Sequence, residues 1–445
     1  MGNGLSSFTT NLRLLAVSVL AGAWDKPSLI ERLERALDGG PPDPRRLAAR
    51  LLFHFETEQP PTRRQLLAFF ANEQALQQRF ANPGAAPPKL VLDPPRMGRP
   101  PEKLVTLPLP PLSTRKDLTE WLGLFDHELA WFADMERRQC HVTQTRLHHY
   151  RYRWIEKPSG DLRLIEIPKP RMKSIQRRIL RDILNRLPPH PSAHGFCRGR
   201  SSKSFVEGHL HKPVLLRMDL KDFFHSVPVA RIGALFRRVG YPTNVARLLQ
   251  GLCTHSTSEA LAGAEFISLP WERRKRLADK HLPQGAPSSP ALANLCAWRF
   301  DCRLQGIAER FNLDYTRYAD DIAFSGGRDL LRLAPFLQGL IGAIAIEEGF
   351  EINHRKTRIR TEAQSQRLAG MVVNHTSNLP RAEFDRIKAI LHNCIHQGPR
   401  SQNRQGHADF KAHLAGRIAY VKWLNPTKGE RLQGLWNRVV WDKDR

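Results

Sequence analysis

Asp320 and Asp321 stand side by side in Arg317-Tyr318-Ala319-Asp320-Asp321-Ile322-Ala323-Phe324-Ser325, flanked by apolar β-formers. The alternation on each side predicts strand, turn and strand, with Ala-Asp-Asp as the turn. A tight hairpin tip would display both carboxylates while its strands anchor them. Mg²⁺ prefers oxygen ligands and is usually held by one or two carboxylates plus substrate phosphates, so the pair suits a hard divalent cation. A solvated acidic turn is the plain alternative. A third acid shifts the balance: Asp219 lies upstream in Met218-Asp219-Leu220-Lys221-Asp222-Phe223-Phe224. Val214–Asp219 predicts a buried strand that delivers Asp219 at its C-terminal end, where α/β folds place functional groups.

Other elements must surround these acids. Tyr150–Ile155 and Leu162–Ile167 predict a β-hairpin turned by Pro158-Ser159-Gly160-Asp161, with basic residues on one face. An arginine-dense helix over Met172–Leu187 follows, with Ile175, Ile179 and Ile183 as its core stripe. This stretch is either a solvated basic face or a surface that offers arginines to phosphates, which they grip bidentately. Within Ala193–Ser202, two glycines permit close backbone approach to a ligand, and Arg198 and Arg200 flank Gly199. Asp222 reads as a turn or helix-start residue. Leu282–Pro290 reads as a turn-rich loop opening a helix through Ala291, Leu295, Trp298 and Leu304. Beyond the acid pair come a helix over Leu330–Glu348, a basic strand in His354–Arg360 and a short strand with a glycine bend in Arg367–Asn374. Residues 380–445 are helical and basic, and most of Tyr420, Trp423, Trp436 and Trp441 are expected in the core. His392-x-Cys394-x-His396 lacks a fourth zinc ligand and reads as a helix face.

The 445 residues predict two to four domains. Lys plus Arg number 69 against 43 Asp plus Glu, a formal charge of +26, which points to a polyanionic partner. A membrane surface is the rival, yet no stretch reads as long enough to span a bilayer, and no membrane partner is expected. Six cysteines without a CxxC pair read as reduced thiols of a cytoplasmic protein. Met1–Ser6 fits a loose myristoylation pattern and Leu14–Ala23 imitates a signal core. The apolar spacing nevertheless continues through Trp24, Leu29, Leu33 and Leu37, which predicts one or two amphipathic helices. Residues 1–81 thus form a helical region, with further helices at Arg45–Phe55 and Thr62–Phe80. Residues 82–112 hold ten prolines and read as a linker, or as an arm lying along the next domain.

Taken in order, Asp219 with Phe224, Leu282-Pro283-Gln284-Gly285 and Tyr318-Ala319-Asp320-Asp321 resemble the palm of reverse transcriptases. The likeness runs from about 145 to 374 and takes in the basic hairpin, Gly195-Phe196 through Ser201, Asn353 with Lys356-Thr357, and Gly370-x-Val372-Val373-Asn374. Among subfamilies the chain is most similar to bacterial retron enzymes, through Ala193–Phe196, Asp219–Val227, Leu282–Pro290 and Tyr315–Asp321. The stretch 113–135 also resembles the segment before their fingers. Two family features differ: Leu368-Ala369-Gly370 stands where retron enzymes have Val-Thr-Gly, and no Asn-Ala-x-x-His signature is evident.

The resemblance implies an α+β right-hand polymerase with a helical N-terminal extension. Its parts would be a helical N-terminal region (1–81), a Pro-rich linker (82–112), lead-in and fingers (113–210), a palm with an antiparallel sheet (211–374) and a helical thumb (375–445). No maturase, nuclease or RNase H domain is expected after the thumb. Asp219, Asp320 and Asp321 would be catalytic and, with the backbone carbonyl of Leu220, would hold two Mg²⁺ ions, Mn²⁺ being a substitute. Lys157 and Arg163 would contact the triphosphate, Gln284 and Gly285 would line the nucleotide pocket, and Phe224 would gate against a 2′-hydroxyl. Lys356 would protonate the leaving pyrophosphate. Arg198, Arg200, Tyr318 and Gly370 would touch nucleic acid. The implied partners are a structured non-coding RNA, its DNA product, deoxynucleoside triphosphates and an accessory effector protein in phage defence. Another bacterial reverse transcriptase class, defence-related or CRISPR-associated, and a non-catalytic RNA-binding scaffold are the alternatives.

Overall fold

The computed structural model describes residues 2–22, 24–55, 60–81, 86–91, 96–98, 100–142, 144–157 and 160–441, without the side chains of 2–6 and 103. The turn residues Pro158 and Ser159 lie outside that set. The chain divides into two units. One comprises Met1–Thr106, Pro111–Leu129 and Phe236–Arg247; the other comprises Leu107–Pro110, Ala130–Leu235 and Leu248–Arg445.

The first unit is helical at its N-terminal end, as its 3.6-residue spacing predicts. Helices Gly2–Leu20, Lys26–Leu37, Pro44–His54, Arg63–Ala71 and Gln74–Ala81 bury Leu15, Val19, Leu29, Leu33, Leu51, Leu66, Phe70 and Leu76 together. Their starts are written locally: Asp25 and Asp43 cap helices with proline in the first turn, and Thr62 forms a capping box with Gln65. The single helix expected over Thr62–Phe80 is two, broken at Asn72 and Glu73, where the backbone switches to i→i+3 bonding. The start of the Pro-rich stretch, at Lys89 and Val91, lies along these helices. Lys89 N–H donates to Ala36 O at 2.8 Å, and Val91 N–H donates to Ser18 Oγ at 3.0 Å.

The second unit holds the acids. Strands β1 (Tyr150–Glu156) and β2 (Leu162–Pro168) form the expected antiparallel hairpin. A separate four-stranded antiparallel sheet contains β3 (Val214–Asp219), β4 (Asp314–Tyr318), β5 (Asp321–Gly326) and β6 (Arg358–Thr361), in the order β4-β5-β3-β6. Strand β3 is central and nearly all buried, which explains why Val-Leu-Leu reads as a continuous apolar run rather than an alternating one. His354–Arg360 is not one strand: His354–Lys356 is a 3₁₀ turn, and only Arg358 onward pairs with β3. Arg367–Asn374 is likewise a tight hairpin of β7 (Arg367–Leu368) and β8 (Met371–Val372). Its central residues Ala369 and Gly370 have φ of 46° and 78°, the positive pair that a primed two-residue turn requires.

Helices complete the unit. The segment after Leu282–Pro290 forms Ser289–Cys296 and Trp298–Arg310, separated at Ala297, rather than one helix. Among the described residues one helix, Leu330–Glu347, is long and apolar enough to cross a membrane, with 18 residues and mean hydropathy 1.5, against the sequence expectation. Its buried stripe of Leu330, Ala334, Leu337, Ile341 and Ile344 packs inward, and Leu331, Phe336 and Ile346 add apolar character on the exposed side. The last helices, Arg381–Gln397, Phe410–Leu424 and Pro426–Trp436, share one core with Leu368, Met371 and Val373. Trp436 and Trp441 pack against that core, whereas Tyr420 and Trp423 are exposed.

His209 links the helical layer to the sheet. It is fully buried, with Nδ1 2.7 Å from Ser325 Oγ and Nε2 2.7 Å from Thr316 Oγ1. Burial holds its imidazole down at about 4, so the unfolded chain binds a proton near pH 6.5 that the fold refuses. Stability is therefore expected to fall as pH drops from about 6.5 toward 4, by roughly 1 kcal/mol per unit from this residue. Urea midpoints across that range should show the slope, and His209→Gln should remove part of it.

Candidate active site

The three acids converge because of strand register. Asp219, the last residue of β3, pairs directly with Asp321, the first of β5, and Asp320 sits in the two-residue tip between β4 and β5. The tip is tight: Ala319 has φ 56°, and Leu220 N–H donates to Asp320 O at 2.8 Å. Asp219 is 3% exposed, and its Oδ2 accepts from Lys356 Nζ at 2.9 Å. Asp321 Oδ1 accepts from Arg217 Nη2 at 2.6 Å and Nε at 2.9 Å. Burial, followed by the charges of Asp219 and Asp321, pushes the Asp320 carboxyl above the usual range. Burial also pushes Asp321 up, with Arg217 pulling the other way. Asp219 Oδ1 is buried with no hydrogen-bond partner among the described residues. An orphaned carboxylate oxygen beside two destabilised carboxylates is the donor set a hard divalent cation fits.

A buried ion pair holds the tip. Arg317, in β4, is 0% exposed and grips Asp301 through Nε at 2.7 Å and Nη2 at 2.6 Å. Its Nη1 donates to Asn294 Oδ1 at 3.0 Å and to Ala319 O at 2.9 Å, so the guanidinium reaches the turn itself. From the other side comes Gly195. A Cβ there would stand 2.5 Å from Ala319 N and 3.1 Å from Tyr318 C, both unyielding backbone atoms. Under the activity that the resemblance implies, Gly195→Ala should push the acid tip out of register and cut DNA synthesis about 10²-fold, because sub-ångström placement governs such chemistry. Primer-extension rates beside unchanged RNA affinity in filter binding would verify it.

A cluster of cationic side chains gathers around Asp222, three residues beyond Asp219. Burial, then Arg273 and Arg163, lower the Lys157 ammonium below its ordinary value, while Asp222 opposes them. Asp222 has φ 47° and lies 3.8 Å from both Arg273 and Arg276, which come from helix Trp271–Ala278. No motif marks either arginine in the sequence; the one signal there is the basic run Arg273-Arg274-Lys275-Arg276. Phe224 is half-buried beside Phe196, with ring centroids 6.0 Å apart. Gln284 O accepts from Glu166 N–H at 2.9 Å, which docks the loop on β2. Gly285, at φ 135°, is required there because a Cβ would meet Glu166 O at 2.7 Å.

Comparison with known proteins agrees with this geometry. Residues 155–373 match the family model for reverse transcriptase (RNA-dependent DNA polymerase). The Mx65 retron reverse transcriptase of Myxococcus xanthus is 39% identical over 326 residues, covering 73% of this chain and 71% of the relative. The chain belongs to the retron reverse transcriptases. Two further retron reverse transcriptases are similar to it. Mx162 of Myxococcus xanthus is 32% identical over 72% of this chain and 65% of its own length, and Ec86 of Escherichia coli is 31% identical over 64% and 79%. The chain is accordingly an RNA-directed DNA polymerase, with a nucleic-acid template and product.

The remaining predicted contacts of this reverse transcriptase are spread more widely. Arg198 is exposed, whereas Arg200 is tied to the carbonyls of His190 at 2.7 Å, Pro191 at 3.0 Å and Ala193. Tyr318 is half-buried between Phe196 and Phe205, and Gly370 sits at the β7–β8 turn, open enough that a Cβ would meet nothing. The arginine-dense helix, Pro170–Asp182, faces a cleft lined by Arg151, Lys169, Lys173, Arg177 and Arg181. Of the His392, Cys394, His396 trio on helix Arg381–Gln397, Cys394 is buried in the core while His392 and His396 are exposed with their rings tilted at 49° and centroids 4.6 Å apart, so the cysteine and the histidines lie on different sides of the helix.

Proposed function

We propose that this chain copies a structured non-coding RNA into DNA, as a retron-type enzyme, at Asp219, Asp320 and Asp321. The observation that carries the reading is the direct pairing of Asp219 with Asp321 under Asp320, with Asp219 Oδ1 buried and unpartnered. A protein that only bound polyanions would gain nothing from clustering three carboxylates. In this reading the sheet β4-β5-β3-β6 is the palm (211–374), the β1–β2 hairpin belongs to the fingers (113–210), and the helices of 375–445 form the thumb. Residues 1–81 and the linker 82–112 dock the RNA or an effector. The setting is anti-phage defence with an accessory effector, an assignment that rests on kinship alone.

Two divalent cations, Mg²⁺ or in its place Mn²⁺, would lower the pKa of the primer 3′-hydroxyl and stabilise in-line displacement at the α-phosphorus. Asp219, Asp320 and the Leu220 carbonyl would hold them, while Asp321, already paired with Arg217, would shape the field. Lys157 and Arg163 take the triphosphate, joined by Arg273. Lys356, bonded to Asp219 in this structure, gives its proton to the leaving pyrophosphate. Gln284 and Gly285 line the nucleotide pocket, and Arg198, Arg200, Tyr318 and Gly370 follow the template and primer. Phe224 lies under the sugar and excludes a 2′-hydroxyl. Phe224→Ala is expected to lower the preference for deoxynucleotides over ribonucleotides by about 10- to 10²-fold, read as a ratio of kcat/KM values.

The test of the whole reading is to express the chain with its flanking genomic DNA and sequence the nucleic acid that co-purifies. A discrete short DNA joined to a structured RNA, absent from an Asp320→Ala, Asp321→Ala double variant, is expected. Heterogeneous DNA that depends on the same acids would overturn the retron type, and RNA alone from both proteins would overturn the enzyme.

A further inference from the structure

A second cluster of ligand-type side chains is buried away from the three aspartates. Glu166 of β2 and His281 are 0% and 1% exposed, and the His225 side chain is 5% exposed. One ligand atom from each lies within 4.8 Å of the other two. His281 Nε2 is 2.9 Å from Glu166 Oε2, and His225 Nε2 is 4.0 Å from the same oxygen. Glu166 Oε1 accepts from Thr257 Oγ1 at 2.8 Å, and His255 Nε2 stands 3.9 Å away on that side.

Two independent features point to a missing cation. First, His225 Nε2 is buried and has no hydrogen-bond partner among the described residues. Such a buried, unpaired group is costly to the fold unless something meets it. Second, His281 Nδ1 lies 2.8 Å from the carbonyl oxygen of Asp279. A carbonyl only accepts, so Nδ1 carries the hydrogen and aims its Nε2 edge at Glu166, the arrangement by which a backbone oxygen orients a metal-ligating histidine. Nε2 at 2.9 Å from a carboxylate oxygen meets it across either a proton or a metal ion. A proton would join His281 to Glu166 but leave His225 unmet at 4.0 Å. A metal ion meets all three.

We propose that Glu166, His225 and His281 form a structural Zn²⁺ site. Two imidazoles and a carboxylate are the nitrogen–oxygen set that zinc takes, whereas Mg²⁺ and Ca²⁺ want oxygen throughout. Zinc–nitrogen and zinc–oxygen bonds near 2.1 Å place tetrahedral ligands about 3.4 Å apart, a spacing the observed 2.9 and 4.0 Å bracket. The ion would pin three segments that surround the nucleotide pocket. Glu166 follows Arg163 on β2, His225 follows Phe224, and His281 precedes Gln284, whose carbonyl already bonds the Glu166 amide. No Cys or His pair at metal-ligand spacing marks these residues in sequence, because each comes from a different element.

The test is the metal content of untagged protein grown with zinc and desalted, measured by plasma mass spectrometry. Stoichiometric zinc is expected in the unaltered chain and in Asp320→Asn, with loss of nearly all of it in His225→Gln and Glu166→Gln. A zinc-selective chelator should lower the melting temperature of the unaltered chain by about 5 °C, restored by added Zn²⁺. If the variants do not fold, the zinc content and chelator response of the unaltered chain decide alone. Zinc-free protein whose melting ignores chelator and Zn²⁺, or zinc that persists in folded His225→Gln, would overturn the site. Neither result depends on DNA synthesis, which Asp320→Asn reports separately.

Discussion

Asp320→Asn is expected to abolish DNA synthesis while raising the melting temperature of the metal-free protein. The Asp320 carboxyl is held above its usual range by burial and by Asp219 and Asp321, so its negative charge works against the fold at neutral pH. Asparagine keeps the shape and removes that repulsion, a gain of a few degrees. In the proposed mechanism the same change strips the negative charge and one carboxylate oxygen from a metal ligand, a loss of several kcal/mol of transition-state stabilisation, on the order of 10³-fold or more in rate. Magnesium should raise the melting temperature of the unaltered chain and do so far less in the variant, since a ligand stabilises only the state that binds it. Differential scanning fluorimetry with and without Mg²⁺, beside single-turnover extension, separates these effects. A variant that extends primers normally would remove Asp320 from the chemistry.

The largest loss of stability is expected at the buried pair beneath the acid tip. Asp301→Ala leaves Arg317 charged and fully buried without a carboxylate, its remaining partners being Asn294 Oδ1, Ala319 O and the face of the Phe223 ring. Breaking such a pair from one side costs about 3–5 kcal/mol. Tyr315 adds to this, because its hydroxyl donates to the same Asp301 oxygen at 2.7 Å and loses its acceptor. Replacing both partners, Arg317→Met with Asp301→Leu, should recover much of the stability, since no uncompensated charge remains. Activity should not return with it. The bond from Arg317 Nη1 to Ala319 O is gone, so the tip that carries Asp320 loses its anchor, and rates should stay roughly 10²-fold down. Urea denaturation and primer extension on the two variants would expose that split.

Much of this was readable in the residues. The acid tip is written by alternation around Ala319-Asp320, and β3 by an apolar run too short for a helix. The Asp219–Asp321 pairing could not be read, because register between distant strands is fixed by the whole sheet. Local rules failed where tertiary contacts override them: Ala297 divides an apparently continuous helix, and Lys356 turns into a 3₁₀ segment to reach Asp219. Arg317 looked like an ordinary basic residue beside the motif. Only the fold shows that it is buried and paired with Asp301, sixteen residues earlier. Arg273 and Arg276 were hidden for a different reason, since a helical basic run reads the same whether it faces solvent or Asp222.

The most direct measurement of the central claim is extension of a primer annealed to a defined RNA template by the purified chain, with Mg²⁺ titrated from zero. The account predicts DNA complementary to the template, strictly dependent on Mg²⁺ and absent from Asp219→Asn, which should bind the same RNA as tightly as the unaltered chain. DNA synthesis that survives Asp219→Asn, or tight RNA binding without any extension by the unaltered chain, would contradict it.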